Sequence, residues 1–243
     1  MLNGQRKREY TQKERKKGLK LPDKPCSDLA YICGILVGDG SIYGRKKKHE
    51  YFIKCVGNPK DEKELYHEII APRFANIFGF VPEMGYHDQN TTYGFSLYSK
   101  TLYTYLTDGI GLLEGRKDSR LSIPKIFKED KKLIIPFLRG LFDTDGCISF
   151  KKRYKLTPYY PTIIFSSKSE KLTAEIAQIL KQRRFKVVEI YNYKLMDNRV
   201  ERGFTIINRL EMNGKDNLRK WLDLIGFDSP KHLNKIKENW EGA

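Results

Sequence analysis

A nine-residue pattern occurs twice in this chain, and the two copies lie 106 residues apart. Residues 32–40 and 138–146 each combine an apolar run with an internal glycine and a terminal Asp-Gly pair. Gly34 and Gly140 keep the same spacing as the acids Asp39 and Asp145. The pattern predicts one structural unit that occurs twice, with each copy delivering one carboxylate from the end of an apolar helix.

The internal glycines indicate how the two helices pack. Glycine costs about 1 kcal/mol relative to alanine inside a helix, so Gly34 and Gly140 favour a close approach of two helix backbones. Gly38 and Thr144, four residues further on, keep the same face small. We therefore expect the two helices to pack side by side. Two ordinary core helices that end in glycine would explain each copy alone, but not the shared spacing.

The two acids would then converge at the ends of paired helices. At a separation of about 5 Å and an effective dielectric constant near 20, their repulsion is on the order of 3 kcal/mol. A divalent cation between Asp39 and Asp145 would reverse the sign of this interaction, so the pattern predicts a metal site. The alternative is that each Asp-Gly pair only caps a turn into the following strand.

Apolar periodicity predicts an α+β fold built from two similar halves, residues 26–130 and 131–243, each in the order αββαββα. In the first half we expect helices at 27–37, 61–78 and 100–107, and strands at 41–47, 50–56, 80–86 and 93–98. In the second half we expect helices at 131–142, 170–184, 215–225 and 231–240, and strands at 147–153, 162–166, 187–194 and 203–211.

The chain carries a formal net charge of +16, which indicates a polyanionic partner. A basic ribosomal-type protein, or a protein that is merely soluble, would have a similar charge. Residues 1–25 hold nine of the basic residues and three acids, without apolar periodicity. We expect them to form a basic arm that is flexible or becomes ordered on DNA; a solvated tail without a role is the alternative.

The four cysteines form no Cys-x-x-Cys pair, which favours reduced thiols in an intracellular protein. No apolar stretch approaches the length that crosses a bilayer, so no membrane partner is expected. The basic N-terminus lacks the apolar core of a signal peptide. We expect an intracellular location, in whichever compartment holds the nucleic acid.

The duplicated pattern resembles the motif of the LAGLIDADG homing endonucleases of the single-chain, two-motif type, and the resemblance covers roughly residues 27–240. It implies two pseudo-symmetric halves with paired motif helices at the centre and antiparallel sheets forming a DNA-binding saddle. The first copy departs from the family, because Val37 stands where the second copy has the acid Asp143. A group present in one half only is unsuited to a shared catalytic role, so we expect Asp143 to be structural and to bond a neighbouring backbone amide.

The resemblance also implies an activity, which is metal-dependent cleavage of both strands of a long, asymmetric DNA target. Asp39 and Asp145, with the adjacent Gly38 and Thr144, would bind Mg²⁺; Mn²⁺ is an alternative ion and Ca²⁺ an inhibitory or non-productive one. A polar residue after the second strand and a lysine late in each half would line the water pocket. By matching position these are Asn58, Ser167, Lys117 and Lys231.

A two-stranded β-ribbon fits the major groove of B-DNA. In the second half Ile148 and Phe150 should face the helices, which leaves one basic and polar face to the DNA. A shift of 106 residues places a similar face in the first half, opposite Ile42. The predicted DNA contacts are Ser149, Lys151 and Arg153, with Tyr43, Arg45 and Lys47 in the first half. The alternative is a solvated sheet face with ordinary charges.

Two other functions are compatible with the pattern: an RNA-binding intron maturase, and a DNA-binding regulator of the same fold without catalysis. The two intact acids favour the nuclease, because neither alternative needs a metal-bound carboxylate pair. One chain supplies both halves, so we expect a monomer and a target that is only weakly palindromic. The absence of splicing-domain sequence favours a free-standing, intron-encoded protein. Nicking that depends on Mg²⁺ would distinguish the nuclease from the other two functions.

Overall fold

The structure, a computed structural model, describes residues 10–154, 156, 158–198 and 200–240, apart from the side chain of residue 46. These residues form two compact units. Unit 1 contains the chain up to residue 116 together with residues 124–144 and 228–231. Unit 2 contains residues 117–123, 145–227 and the chain from residue 232 onward. The second motif helix thus belongs to unit 1, although the sequence repeat assigns it to the second half.

Unit 1 contains an antiparallel sheet in the order β1-β2-β4-β3. Its strands are β1 (Gly40–Arg45), β2 (Glu50–Gly57), β3 (Met84–His87) and β4 (Thr92–Tyr98). Its helices are α1 (Gln12–Lys16), α2 (Ser27–Gly38), α3 (Ala71–Phe78), α4 (Lys100–Thr104), α5 (Lys125–Lys128) and α6 (Ile134–Thr144). π-helical turns at Leu65–Ile70 lead into α3, and others at Tyr105–Ile110 continue α4.

Unit 2 repeats this order of strands as β5-β6-β8-β7. Its strands are β5 (Gly146–Lys151), β6 (Tyr160–Ser167), β7 (Val187–Met196) and β8 (Phe204–Asn213). Its helices are α7 (Glu170–Gln182), α8 (Lys215–Leu224) and most of α9 (Pro230–Asn239). The predicted α+β class and the repeated order of elements are confirmed. None of the helices within the described residues is both long and apolar enough to pass through a membrane.

The motif helices α2 and α6 pack side by side in unit 1, as the two internal glycines predict. A Cβ added to Gly34 would overlap the carbonyl oxygen of Phe137 and stand 2.8 Å from the backbone nitrogen of Leu141. A Cβ on Gly140 would likewise overlap the carbonyl oxygen of Tyr31. The obstacles are backbone atoms, so the helices could admit a methyl group at either position only by moving apart.

We therefore expect Gly34→Ala to destabilise unit 1, although alanine is the better helix former. Overpacking of a tight contact costs about 1–3 kcal/mol, and here the shift involves two backbones. Chemical denaturation monitored by circular dichroism measures the change. Gly109→Ala is the matched control, because its added Cβ would meet only the Cδ2 atom of Tyr105, at 3.7 Å. Equal stability of the two variants would contradict the close helix contact.

Residues 10–25 fold onto unit 1, which differs from the flexible arm that we expected; residues 1–9 of that arm lie outside the described residues. Helix α1 begins with a capping box between Thr11 and Glu14. Glu14 is 5% exposed and accepts hydrogen bonds from Ser99 Oγ and from the backbone nitrogen and hydroxyl of Thr101. Leu19 is buried as well. This one acid joins α1 to the N-terminus of α4, a long-range contact that local periodicity cannot indicate.

The same acid predicts a pH dependence of stability. Burial raises the pKa of Glu14, but the hydrogen bonds from Ser99, Thr11 and Thr101 lower it further, so the pKa lies below the usual 4.5. An acid with a lowered pKa stabilises the fold above the unfolded pKa, and this contribution is lost as pH falls through the folded pKa. We expect Glu14→Gln to cost about 2 kcal/mol at pH 7, and less below pH 4.5. Urea unfolding at pH 7 and at a pH below 4.5 measures the loss of stability, with the exposed Glu83→Gln variant as control. If Glu14→Gln lost the same stability at both pH values, the prediction would be contradicted.

Candidate functional site

The two motif acids lie at equivalent junctions, each between a motif helix and the first strand of a sheet. Asp39 is the C-cap residue of α2, where its backbone N–H donates to the carbonyl of Ile35 at 2.9 Å. Its side chain is half-buried, whereas the residues before it are buried. Asp145 follows α6, precedes β5 and is exposed. Both carboxylates are thus carried to the surface by a buried helix, and their joint binding of a metal stays a prediction.

Asp39 and a second acid, Glu62, contact the end of strand β2 at the same glycine. A Cβ added to Gly57 would stand 3.1 Å from Asp39 Oδ2 and would overlap Glu62 Oε2. Only glycine leaves room here for both carboxylates. Glu62 is 5% exposed and did not follow from the sequence, because nothing in the duplicated motif points to it.

Lys231, one of the predicted pocket lysines, is bound to Glu62. Its Nζ donates to Glu62 Oε1 at 2.8 Å, and the lysine side chain is 21% exposed. Burial lowers the pKa of Lys231, but the hydrogen bond and charge of Glu62, with the charges of Asp61 and Asp39, raise it above the usual 10.5. Lys231 is therefore a fixed cation at neutral pH, in the electrostatic field of Asp39.

Asn58, the predicted polar residue of the first half, closes the turn between β2 and the following helix. Its backbone N–H donates to Glu62 Oε2 at 2.7 Å, and its side-chain oxygen accepts from the backbone of Lys60 at 2.9 Å. The structure thus brings Asp39, Asn58 and Lys231 together around Glu62. These three predicted residues come from three separate segments of unit 1.

In unit 2, Ser167 ends strand β6 and makes a comparable turn, in which its hydroxyl accepts from the backbone nitrogen of Ser169 at 3.1 Å. Strand register pairs Gly40 with Cys55 and Gly146 with Phe165, so that Ser167 corresponds to Gly57 rather than to Asn58. Lys117 lies outside helices and strands, in residues 117–123. That segment is tied to the start of α7, because the hydroxyl of Ser169 donates to the carbonyl of Leu121 at 2.7 Å.

Asp143 is a structural acid, as its absence from the first copy predicts. It is fully buried in unit 1 and accepts from Tyr31 Oη at 2.7 Å. The backbone nitrogens of Asp228 and Ser229 also donate to it, at 3.1 Å. Burial raises the pKa of Asp143 to about 7, although these hydrogen bonds lower it. The predicted bond to a backbone amide is confirmed, and it anchors residues 228–231 to the motif helices.

The sheet of unit 1 has one apolar face and one open face. Ile42, Ile53 and Phe95 are buried on the first. Tyr43 and Arg45 lie on the open face of β1, as predicted, and Tyr43 is 45% exposed. Lys47 lies beyond the strand, in the turn Lys46–Lys48. Register places Phe52, Lys54 and Tyr98 on the same open face, where the rings of Phe52 and Tyr98 are 5.1 Å apart.

The sheet of unit 2 also has an open face, on which Ser149 and Lys151 lie as predicted. Arg153 lies past the end of β5, in a turn with φ of 47°, and its guanidinium is 3.5 Å from the centroid of the Tyr160 ring. Register adds Arg209 and Glu211 to this face, and these two form an ion pair at 2.8 Å. Both open faces carry a pair of opposite charges, since Arg45 and Glu50 form an ion pair at 3.4 Å on the first, and the first face has the aromatic pair in addition.

Oxygen donors dominate the candidate site. Within the residues that the structure describes, no cluster of three or more His, Cys, Asp or Glu side chains is arranged to hold a metal ion. Gly38 and Thr144 directly precede Asp39 and Asp145 in the chain, and their role as metal ligands stays a prediction. The Thr144 hydroxyl donates to the carbonyl of Leu141 at 3.0 Å, within its own helix.

Comparison with known proteins relates one part of the chain to a family model and the fold to solved structures. Residues 132–226 match the family model of the LAGLIDADG-like domain. The homing endonuclease I-DmoI in complex with DNA and calcium aligns with a TM-score of 0.57 and 17% identity, over 88% of this chain and 98% of that chain. I-SmaMI, bound to uncleaved DNA target in the presence of calcium ions, aligns with a TM-score of 0.52 and 10% identity, over 88% and 89%. At such identities the alignments establish a common fold.

Similar sequences also occur within longer curated proteins. An uncharacterized protein of Methanocaldococcus jannaschii is 28% identical over 131 residues, which is 53% of this chain and 42% of that protein. A DNA polymerase of Thermococcus litoralis is 27% identical over 122 residues, 50% of this chain and 7% of that protein. A glutamine–fructose-6-phosphate aminotransferase of M. jannaschii is 22% identical over 219 residues, 90% of this chain and 18% of that protein. The chain spans less than half the length of each of these relatives. It carries a LAGLIDADG-like domain at residues 132–226, and over most of its length it has the fold of the single-chain LAGLIDADG homing endonucleases.

Proposed function

We propose that the chain is a site-specific DNA endonuclease that uses a divalent metal ion to hydrolyse phosphodiester bonds in both strands of a long, asymmetric target. The position of the two motif acids carries this proposal. Asp39 and Asp145 each end a motif helix and precede a strand whose open face is polar and basic. Two solved homing endonucleases of this fold are bound to DNA, which supports DNA as the substrate class.

The donor chemistry at the two acids fits a hard cation. Mg²⁺ is usually held by one or two carboxylates together with substrate phosphates and water. Asp39 and Asp145 supply carboxylate oxygens, and Gly38 and Thr144 supply carbonyl oxygens beside them. When bound, such an ion lowers the pKa of water and stabilises the leaving oxygen. We propose Mg²⁺ as the working ion, Mn²⁺ as a substitute and Ca²⁺ as a non-productive one.

The other proposed roles in catalysis belong to side chains of the protein. Lys231 presents a fixed ammonium group next to Asp39, where it would neutralise the charge that develops on a phosphate. Lys117 would do so in the second half. Asn58 and Ser167 shape the turns that follow β2 and β6. One chain supplies two sheets with open faces, so we propose that it acts as a monomer.

The enzymatic activities named for the longer relatives do not apply to this chain. The matched segments make up 7% of a DNA polymerase and 18% of an aminotransferase. These two enzymes share no activity, so a sequence common to both supplies neither. This favours a self-contained module with an activity of its own.

The test is cleavage of DNA by the purified chain without a preselected target. A library of supercoiled plasmids with random inserts is incubated with the protein and Mg²⁺, and the linearised plasmids are sequenced. We expect a small set of related inserts, with no linear product in EDTA. Random nicking, or binding without cutting in Mg²⁺ and Mn²⁺, would contradict the proposal.

The salt dependence of binding tests the extended DNA interface separately. Contact with about 8 phosphates gives a slope near −7 for log affinity against log salt. Lys151→Ala should flatten this slope by about 1, because it removes one phosphate contact. Fluorescence anisotropy in Ca²⁺ measures the slope without cleavage. A wild-type slope shallower than about −3 would correspond to too few contacts for two sheet faces.

A further inference from the structure

Glu62 is a buried carboxylate with two specific partners. It is 5% exposed and lies in the turn between β2 and the helix that follows. One oxygen accepts from Lys231 Nζ at 2.8 Å, and the other accepts from the backbone nitrogen of Asn58 at 2.7 Å. Burying an ion pair seldom gains stability over a well-packed apolar pair. Stability alone therefore does not account for a buried acid at this position.

The position of Glu62 supplies a reason. Its second oxygen lies against Gly57, and Asp39 Oδ2 lies against the same glycine. The carboxylate that holds Lys231 is thus next to the proposed metal-binding acid. Lys231 comes from residues 228–231, and without Glu62 its long side chain would have no fixed position beside Asp39. One acid links the strand end, the lysine and the motif acid.

We propose that Glu62 is a positioning residue that holds Lys231 beside Asp39 and thereby sets the rate at which one of the two DNA strands is cut. The inference rests on the proposed nuclease function. Glu62 acts through Lys231, and its removal would leave the lysine charged but displaced.

The register-matched position of the second half holds no acid, so we expect the effect to be specific to one strand. Strand register relates Cys55 to Phe165, so the position of Glu62 corresponds to Leu172. Leu172 is fully buried and apolar. A residue that only stabilised the fold would affect both strands equally, whereas a positioning residue of one half affects one strand.

The experiment is cleavage of a supercoiled plasmid carrying the selected target by Glu62→Gln, at saturating protein, with each strand labelled. Loss of an outer-shell partner typically costs about 10–100-fold. We expect one strand to be cut that much more slowly and the other within about threefold of wild type, so nicked circles accumulate. Glu64→Gln is the matched control, because it removes the same charge from an exposed position nearby. Affinity for DNA in Ca²⁺ should be unchanged.

A double variant shows whether Glu62 acts through the lysine. If it does, Glu62→Gln combined with Lys231→Met cuts as slowly as Lys231→Met alone, and Glu62→Asp recovers part of the rate. Equal slowing of both strands, or additive effects in the double variant, would overturn the inference while the nuclease function stands. A wild-type chain that binds the DNA without cutting it would overturn the nuclease function, and this role of Glu62 with it.

Discussion

We expect the replacement of Asp39 by Asn to lower the rate of the proposed DNA cleavage by about 10³-fold or more, and Asp145→Asn to have the same effect. The amide keeps the size of the side chain but removes the charge that would bind the cation. Asp39 is half-buried at the helix end and Asp145 is exposed, so neither exchange disturbs the core. Binding of the selected target should stay within about threefold of wild type, because the proposed phosphate contacts come from the sheets and not from these acids.

The measurement is single-turnover cleavage in Mg²⁺, with affinity measured in Ca²⁺. Asp223→Asn, on the exposed surface of α8, is the control for the loss of a negative charge. The effects of the two substitutions should not add, so the double variant should cut no more slowly than either single variant. If either variant cuts at the wild-type rate, the acid that it replaces has no role in catalysis. Weaker binding in step with slower cleavage would indicate a structural role.

The second large effect concerns stability. Asp143→Ala is expected to cost about 4 kcal/mol, because three donors then lose their acceptor in a fully buried place. These donors are Tyr31 Oη and the backbone nitrogens of Asp228 and Ser229. For a chain of this length the loss corresponds to a fall in Tm of about 10 °C. Differential scanning calorimetry measures it, with Asp223→Ala as the exposed control.

Partial variants refine this expectation. Tyr31→Phe removes a single donor and should cost about 1–2 kcal/mol. Asp143→Asn keeps one acceptor oxygen and should fall between the wild type and the alanine variant. If Asp143→Ala were as stable as Asp223→Ala, the buried network would have no part in holding residues 228–231 to the motif helices.

Much of the fold follows from the sequence because its determinants are local. The apolar runs and the Gly-Asp spacing predict α2 and α6 to within about three residues. Alternation predicts most strands to within two residues. The exception is β3, which begins at Met84 rather than near residue 80, after a proline at position 82 that cannot donate to a ladder.

Local pattern fails where a contact spans the chain. Glu62 and Lys231 are 169 residues apart, and Glu14 and Ser99 are 85 apart. No periodicity encodes such pairs. The helix containing Pro72 shows a related limit: a proline inside a helix usually kinks or breaks it, but here π-helical turns precede α3 and the chain stays helical. The sequence therefore predicts the two motif acids of the site, but it does not predict Glu62, which joins Lys231 to the end of strand β2.

The return of residues 228–231 to unit 1 has a consequence for how the protein is made. These residues carry the amides that bind Asp143 and the lysine that meets Glu62, yet a ribosome synthesises them after all of unit 2 up to Phe227. Unit 1, although most of it precedes unit 2 in the sequence, is finished only when residues 228–231 have emerged. A nascent or prematurely terminated product therefore holds both motif acids without Lys231 beside Asp39. A nuclease built in this order would reach full activity only after residues 228–231 have been synthesised.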